Sequence, residues 1–129
     1  MNQQTDQAKQ TTSNIIYHMV AKKVWEAEVD KPLYEHESLE TEGFIHFTGD
    51  PQLLVSVANN FYRDERGEVV IVCVDSTRLT AELQWDLVGF LYFPHLYGPL
   101  NKDAVVGVVP FPREVDGVYT FPTALIEYE

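Results

Sequence analysis

Six consecutive apolar residues, Val69-Val70-Ile71-Val72-Cys73-Val74, constrain this chain more than any other stretch. The run is far too short to cross a membrane as a helix, its β-branched side chains favour extended backbone, and it has no polar position to face water. It reads as a strand from Glu68 to Asp75 covered on both faces, and therefore as the middle of a sheet. A chain of 129 residues offers one core large enough to cover such a strand, not two. Cys73, the only cysteine, behaves there as a small hydrophobe, and a lone thiol excludes an internal disulfide. With no apolar run of membrane length and no charged-then-apolar start, the expected location is the cytoplasm.

The remaining elements follow from local pattern. Residues 1–13 are almost wholly polar and cannot offset the entropy of ordering, which predicts a mobile tail and a single domain over 14–129. Ile15 to Val20 reads as a first strand with His18 near its end, and Ala21 to Val29 as a short amphipathic helix that Pro32 ends. Leu33 to Glu42 reads as a polar, acidic connection, and Gly43 to Thr48 as a second strand. Its alternation sends Phe44, His46 and Thr48 to one face and Ile45 and Phe47 to the other. Asp50-Pro51 is an N-cap followed by a first-turn proline, opening a helix whose apolar stripe is Leu53, Leu54, Val57, Ala58 and Phe61. Ser76 to Thr80 reads as a turn, and Ala81 to Phe90 as a strand with Glu82, Gln84 and Asp86 on a polar face. Phe93-Pro94-His95-Leu96-Tyr97-Gly98-Pro99-Leu100 carries two prolines that exclude a helix or a central strand, so a shaped loop is expected. Ala104 to Phe111 reads as a strand, with one or two edge strands in Val118 to Phe121 and Ala124 to Ile126.

Charge narrows the partners. A net charge of -11 gives a surface field that repels phosphate backbones and anionic headgroups, so neither nucleic acid nor membrane is an expected partner. No Gly-rich phosphate loop occurs, no serine sits in a GxSxG setting, and no HxxxH or HxH pair fixes two metal ligands on one element. Three of the four histidines, His18, His46 and His95, fall at strand ends or in the stiff loop, while His36 lies in the polar connection and reads as solvated. Two chemistries compete if the three converge. One is a metal site completed by a carboxylate such as Asp86, giving a metal-dependent hydrolase. The other is a cleft in which imidazole nitrogens bond ligand hydroxyls and aromatic rings cover a flat base.

The succession Ile16-Tyr17-His18, Trp25, Tyr34, Ser38-Leu39, Glu42-Gly43-Phe44-Ile45-His46-Phe47-Thr48, Gln52, Trp85-Asp86 and Phe93 to Gly98 resembles the DUF952 family of uncharacterised proteins. The resemblance spans about residues 15 to 112. It departs in having Asp86 after Trp85, where the family usually has Glu, and Thr48 where the family has Ser. DUF952 has been grouped with the ADP-ribosyltransferase-like fold, which implies an α+β architecture. That architecture is a split, mostly antiparallel β core with two to three flanking helices and a cleft that binds NAD. On this resemblance Tyr17 and His18 would contact the ribose and His46-Phe47-Thr48 would support the nicotinamide side; in a catalytic version Tyr97 or Phe47 would pack on the base, and His46 or His95 would exchange a proton with the reacting group. The third-motif Glu of that superfamily has no clear counterpart; Asp86 and Glu114 are the candidates. The expected function is NAD or nucleotide binding, or ADP-ribosyl transfer, in a histidine-lined cleft, with a non-catalytic small-molecule-binding module as the alternative.

Overall fold

A computed structural model describes residues 13–128. The tail expected over 1–13 lies outside them apart from Ser13, whose hydroxyl oxygen accepts the Ile15 N–H at 3.0 Å. The apolar run forms β4, Val69–Asp75, flanked by antiparallel partners on both sides. These are β1, Ile15–Ala21, and β8, Val105–Pro110, in the order β1-β4-β8. Alternation along β4 feeds two cores, as a strand covered on both faces requires. Val70, Val72 and Val74 join Ile16, Val20, Ile45, Phe47 and Leu96 on one side. Val69, Ile71 and Cys73 join Tyr17, Met19, Leu54, Ala58 and Leu125 on the other. Burial pushes the Cys73 thiol up to about 12, so it stays protonated and unreactive. Pro110 sits on β8, an edge strand of this sheet, where a missing N–H is tolerated.

Between these strands the chain builds α1, Lys22–Ala27, then β2, Leu33–Tyr34, α2, Ser38–Thr41, and β3, Ile45–His46. The stretch read as a polar connection therefore holds two short elements, and Tyr34 within it is fully buried. The helix opened by Asp50-Pro51 is α3, Pro51–Phe61, with the Asp50 carboxylate accepting the Gln52 N–H at 2.9 Å. Leu54 and Ala58 are buried as expected, but Phe61, assigned to the same stripe and the last residue of α3, is 78% exposed.

A second three-stranded sheet has the order β3-β6-β5, with β5, Glu82–Val88, and β6, Leu91–Tyr97, forming a hairpin. Gly89 makes the turn at φ +65°, a conformation that glycine adopts without penalty and that suits a tight hairpin. Phe93 to Tyr97 is thus the central strand of a sheet and not a loop, which corrects the sequence expectation. The reason lies in where Pro94 points. Its carbonyl accepts the Phe47 N–H at 3.0 Å, and a strand residue's N and C=O face the same neighbour. The missing donor therefore faces the end of β3, and the Trp85↔Pro94 pair on the other side needs no hydrogen bond. Beyond Tyr97, β7, Leu100–Asn101, pairs with β2 as a third, two-stranded sheet. The edge strands expected near the C-terminus are absent from the described residues. One bridge, Arg113↔Tyr119, and a 3-10 turn over Thr123–Tyr128 stand there instead. The proteins' architecture is α+β with antiparallel sheets and few helices, and no described helix is long and apolar enough to cross a membrane.

Candidate functional site

The two three-stranded sheets meet at the free edge of β1. Tyr17 and Thr48 exchange both backbone hydrogen bonds there, at 2.9 and 2.7 Å. One residue further along, the His46 carbonyl faces away from β6 and accepts from His18 Nδ1 at 2.8 Å. With Nδ1 donating, Nε2 of a neutral imidazole is an acceptor, and it takes the Tyr34 hydroxyl at 2.9 Å. His18 is 3% exposed, and its burial pushes its pKa down to about 3. Both its nitrogens are committed within the protein, so His18 joins the sheets and is a neutral part of the core.

A cleft of about 510 Å³ opens along this junction. Tyr17, His18, Met19, Phe47 and Thr48 form its floor, His36, His46 and His95 contribute imidazoles, and Val57, Phe61, Tyr62, Val88 and Phe93 complete the walls. All four histidines therefore meet in one place, including His36, which its polar surroundings had assigned to solvent. His36 packs edge-on against His18 with ring centres 5.4 Å apart. Its Nδ1 accepts from the Ser38 N–H at 3.1 Å and from the Ser38 hydroxyl at 2.9 Å. That leaves Nε2–H as its donor, and burial lowers its pKa.

Strand pairing sets His46 directly opposite His95, with ring centres 5.3 Å apart. His46 is half exposed and its Nε2 lies 2.9 Å from Glu42 Oε2, a bond that holds the Glu42 carboxyl below its usual range. His95 is 4% exposed and stacks on Phe44, ring centres 4.0 Å apart and planes 16° from parallel. Its Nδ1 lies 2.8 Å from Asp86 Oδ2, and the Tyr97 hydroxyl donates to the same carboxylate oxygen. Those two donors, Tyr97 foremost, hold the Asp86 carboxyl low, while burial outweighs the Asp86 charge and lowers the His95 pKa. Tyr97 itself does not line the cleft; it lies on the outer side of Asp86 and is 38% exposed.

Of the residues proposed from sequence, the fold gathers Tyr17, His18, His46, Phe47, Thr48 and His95. Phe93, available for stacking on the sequence reading, lines the cleft, whereas Asp86 as His95's partner and Phe61 and Val88 as walls have no signal in local sequence. The hairpin register carries the missing signal. Once Gly89 and Phe90 are taken as a two-residue turn, Asp86 falls opposite Phe93 and next to His95. Among the described residues no group of three His, Cys, Asp or Glu side chains is placed to hold a metal ion. Among the described residues no Lys or Arg lines the cleft.

The sequence matches, over residues 19–108, a family described as protein of unknown function (DUF952). No curated protein matches the chain. Among solved structures, the crystal structure of protein CC0527 from Caulobacter crescentus is 25% identical, covers 87% of this chain and 98% of its own, and superposes with a TM-score of 0.75. The solution structure of CC0527 is 26% identical, covers 81% and 90% respectively, and gives a TM-score of 0.68.

Proposed function

The chain belongs to the DUF952 family, and we propose that its histidine-lined cleft binds the nucleoside portion of a small ligand. One observation carries the reading: all four histidines meet in a single cleft, and the hydrogen bonds of two of them fix what each offers. His36 offers a donor and His95 an acceptor, the complement of a hydroxyl group, which both donates and accepts. Phe47, Phe61 and Phe93 supply apolar area for a flat base. The volume of about 510 Å³ lies within the range of small-molecule sites.

NAD, the ligand implied by the ADP-ribosyltransferase-like grouping, fits this cleft in part. Its nicotinamide riboside half matches the imidazoles and aromatic walls. Its pyrophosphate would find no Lys or Arg, no Gly-rich loop and a molecule of net charge -11. The riboside half is therefore the part that the cleft would hold. In a catalytic version His46 or His95 would exchange a proton with the reacting group. The acids bonded to these histidines are Glu42 and Asp86, and neither stands free to support an oxocarbenium-like centre. That favours binding without transfer.

Calorimetry with nicotinamide riboside, nicotinamide mononucleotide and NAD tests the proposal. The riboside binds, and each added phosphate weakens binding or leaves it unchanged. No heat from any of the three at millimolar ligand would defeat it. Nicotinamide released from NAD, detected by chromatography, would restore the transferase version.

A further inference from the structure

We propose that Asp86 and Tyr97 are positioning residues that hold His95 as the proton acceptor of the cleft, with Nε2 presented to a ligand hydroxyl. Resting on the cleft being a ligand site, this assigns roles to two residues that do not themselves touch the ligand. An ionised carboxylate can only accept, so the 2.8 Å contact from Asp86 Oδ2 to His95 Nδ1 requires a proton on Nδ1. In the neutral ring the lone pair then lies on Nε2. Free imidazole side chains favour the opposite tautomer, and here the carboxylate overrides that preference.

Tyr97 adds the second half of the arrangement. Its hydroxyl has the same Asp86 oxygen as its acceptor, so the carboxylate is partly neutralised before His95 ever takes a charge. A less negative Asp86 supports the imidazolium less, which keeps His95 neutral and able to accept near pH 7. The stacked ring of Phe44 fixes the imidazole plane from one face. The other ionisable groups facing His95 are His46, across the strand pair, and Glu42, which is bonded to His46. A ligand O–H donates to Nε2. If the proton crosses, it ends on Nε2, the negative charge ends on the ligand oxygen, and Asp86 balances the new imidazolium.

Asp86 is on the strand partner of β6 and Tyr97 is on β6 itself, two residues from His95. The hairpin that buries one face of the sheet thereby assembles the relay on the other.

Long-range 15N NMR of the histidine rings in the ligand-free protein tests the assignment. Wild type shows His95 protonated at Nδ1 and bare at Nε2 at pH 7.5. Asp86→Ala moves the ring to a mixture rich in Nε2–H, Asp86→Glu restores the wild-type pattern, and Tyr97→Phe keeps the tautomer while raising the His95 pKa. Nicotinamide riboside then binds Asp86→Ala about tenfold more weakly than wild type and recovers in Asp86→Glu. Finding Nε2–H in wild type would overturn the proposal, as would equal riboside affinity in wild type and Asp86→Ala. The tautomer is read without ligand, so failure of the riboside to bind at all counts against the nucleoside reading and leaves this one to the ring nitrogens.

Discussion

A histidine that is 3% exposed with both ring nitrogens bonded can take a proton only by breaking one of those bonds. The consequence for stability has a definite sign. Between its unfolded value of 6.5 and its folded value of about 3, His18 is protonated in the unfolded chain and neutral in the native one, so stability is lost as pH falls through that window. The full effect is on the order of 5 kcal/mol. The lowered His36 and His95 values act in the same direction, and lowered Asp86 extends the loss to lower pH. Urea midpoints measured from pH 7.5 to 4.5 are expected to fall steeply in wild type. In His18→Phe the unfolding free energy starts about 2 to 4 kcal/mol lower, because the Tyr34 hydroxyl and His46 carbonyl lose their partner, and the midpoints fall less steeply. Parallel curves for the two proteins would contradict this account. None of this follows from the letters Tyr17-His18 alone. The strand is readable, but the partners of His18 are 16 and 28 residues away, Tyr34 in a segment that reads as a polar connection and His46 in a strand whose pairing the sequence does not show.

Strands and helices show where local pattern suffices and where it misleads. The run from Val69 to Val74 needed no context, since six apolar residues in a row have one economical fate, and Asp50-Pro51 marked its helix by capping chemistry that acts within four residues. β6 is not legible in sequence because the cost of a proline in a sheet depends on which neighbour its nitrogen faces, and only the pairing shows that. The β5–β6 turn at Gly89 is hidden with it, and so is the Asp86–His95 pair. β2 and α2 are too short, at 2 and 4 residues, to show a period at all. The orientation of Pro94 carries its own test. Pro94→Ala is expected to cost about 1 to 2 kcal/mol, from the loss of buried ring carbons and added chain entropy, since no ladder bond toward β5 is gained or lost. Leu96→Ala, two residues on and fully buried between both sheets, is expected to cost about 2 to 5 kcal/mol. Denaturant melts of the two variants check the contrast, and a Pro94→Ala loss as large as that of Leu96→Ala would show the proline holding the strand by other means. Gly49, in the link between β3 and α3, packs against β5: a Cβ there would collide with the Trp85 ring, so no larger residue fits unless that ring moves.

At the scale of the fold, one geometric fact organises the rest: two antiparallel sheets share the edge of β1 and leave a cleft where they diverge. The first sheet supplies His18 as a neutral tie, the second supplies His46 and His95, and the segment joining them supplies His36. On the proposed reading, the net charge of -11 and a cleft that no described Lys or Arg lines both disfavour phosphates. What remains suited to the cleft is an uncharged or cationic ring bearing hydroxyls. The direct test is a titration of 15N-histidine-labelled protein with nicotinamide riboside, following each ring by NMR. The account predicts that His36, His46 and His95 shift together and saturate at one ligand concentration, while His18 keeps its tautomer and moves little. Unchanged histidine signals at millimolar riboside, or shifts confined to residues outside the cleft, would contradict it.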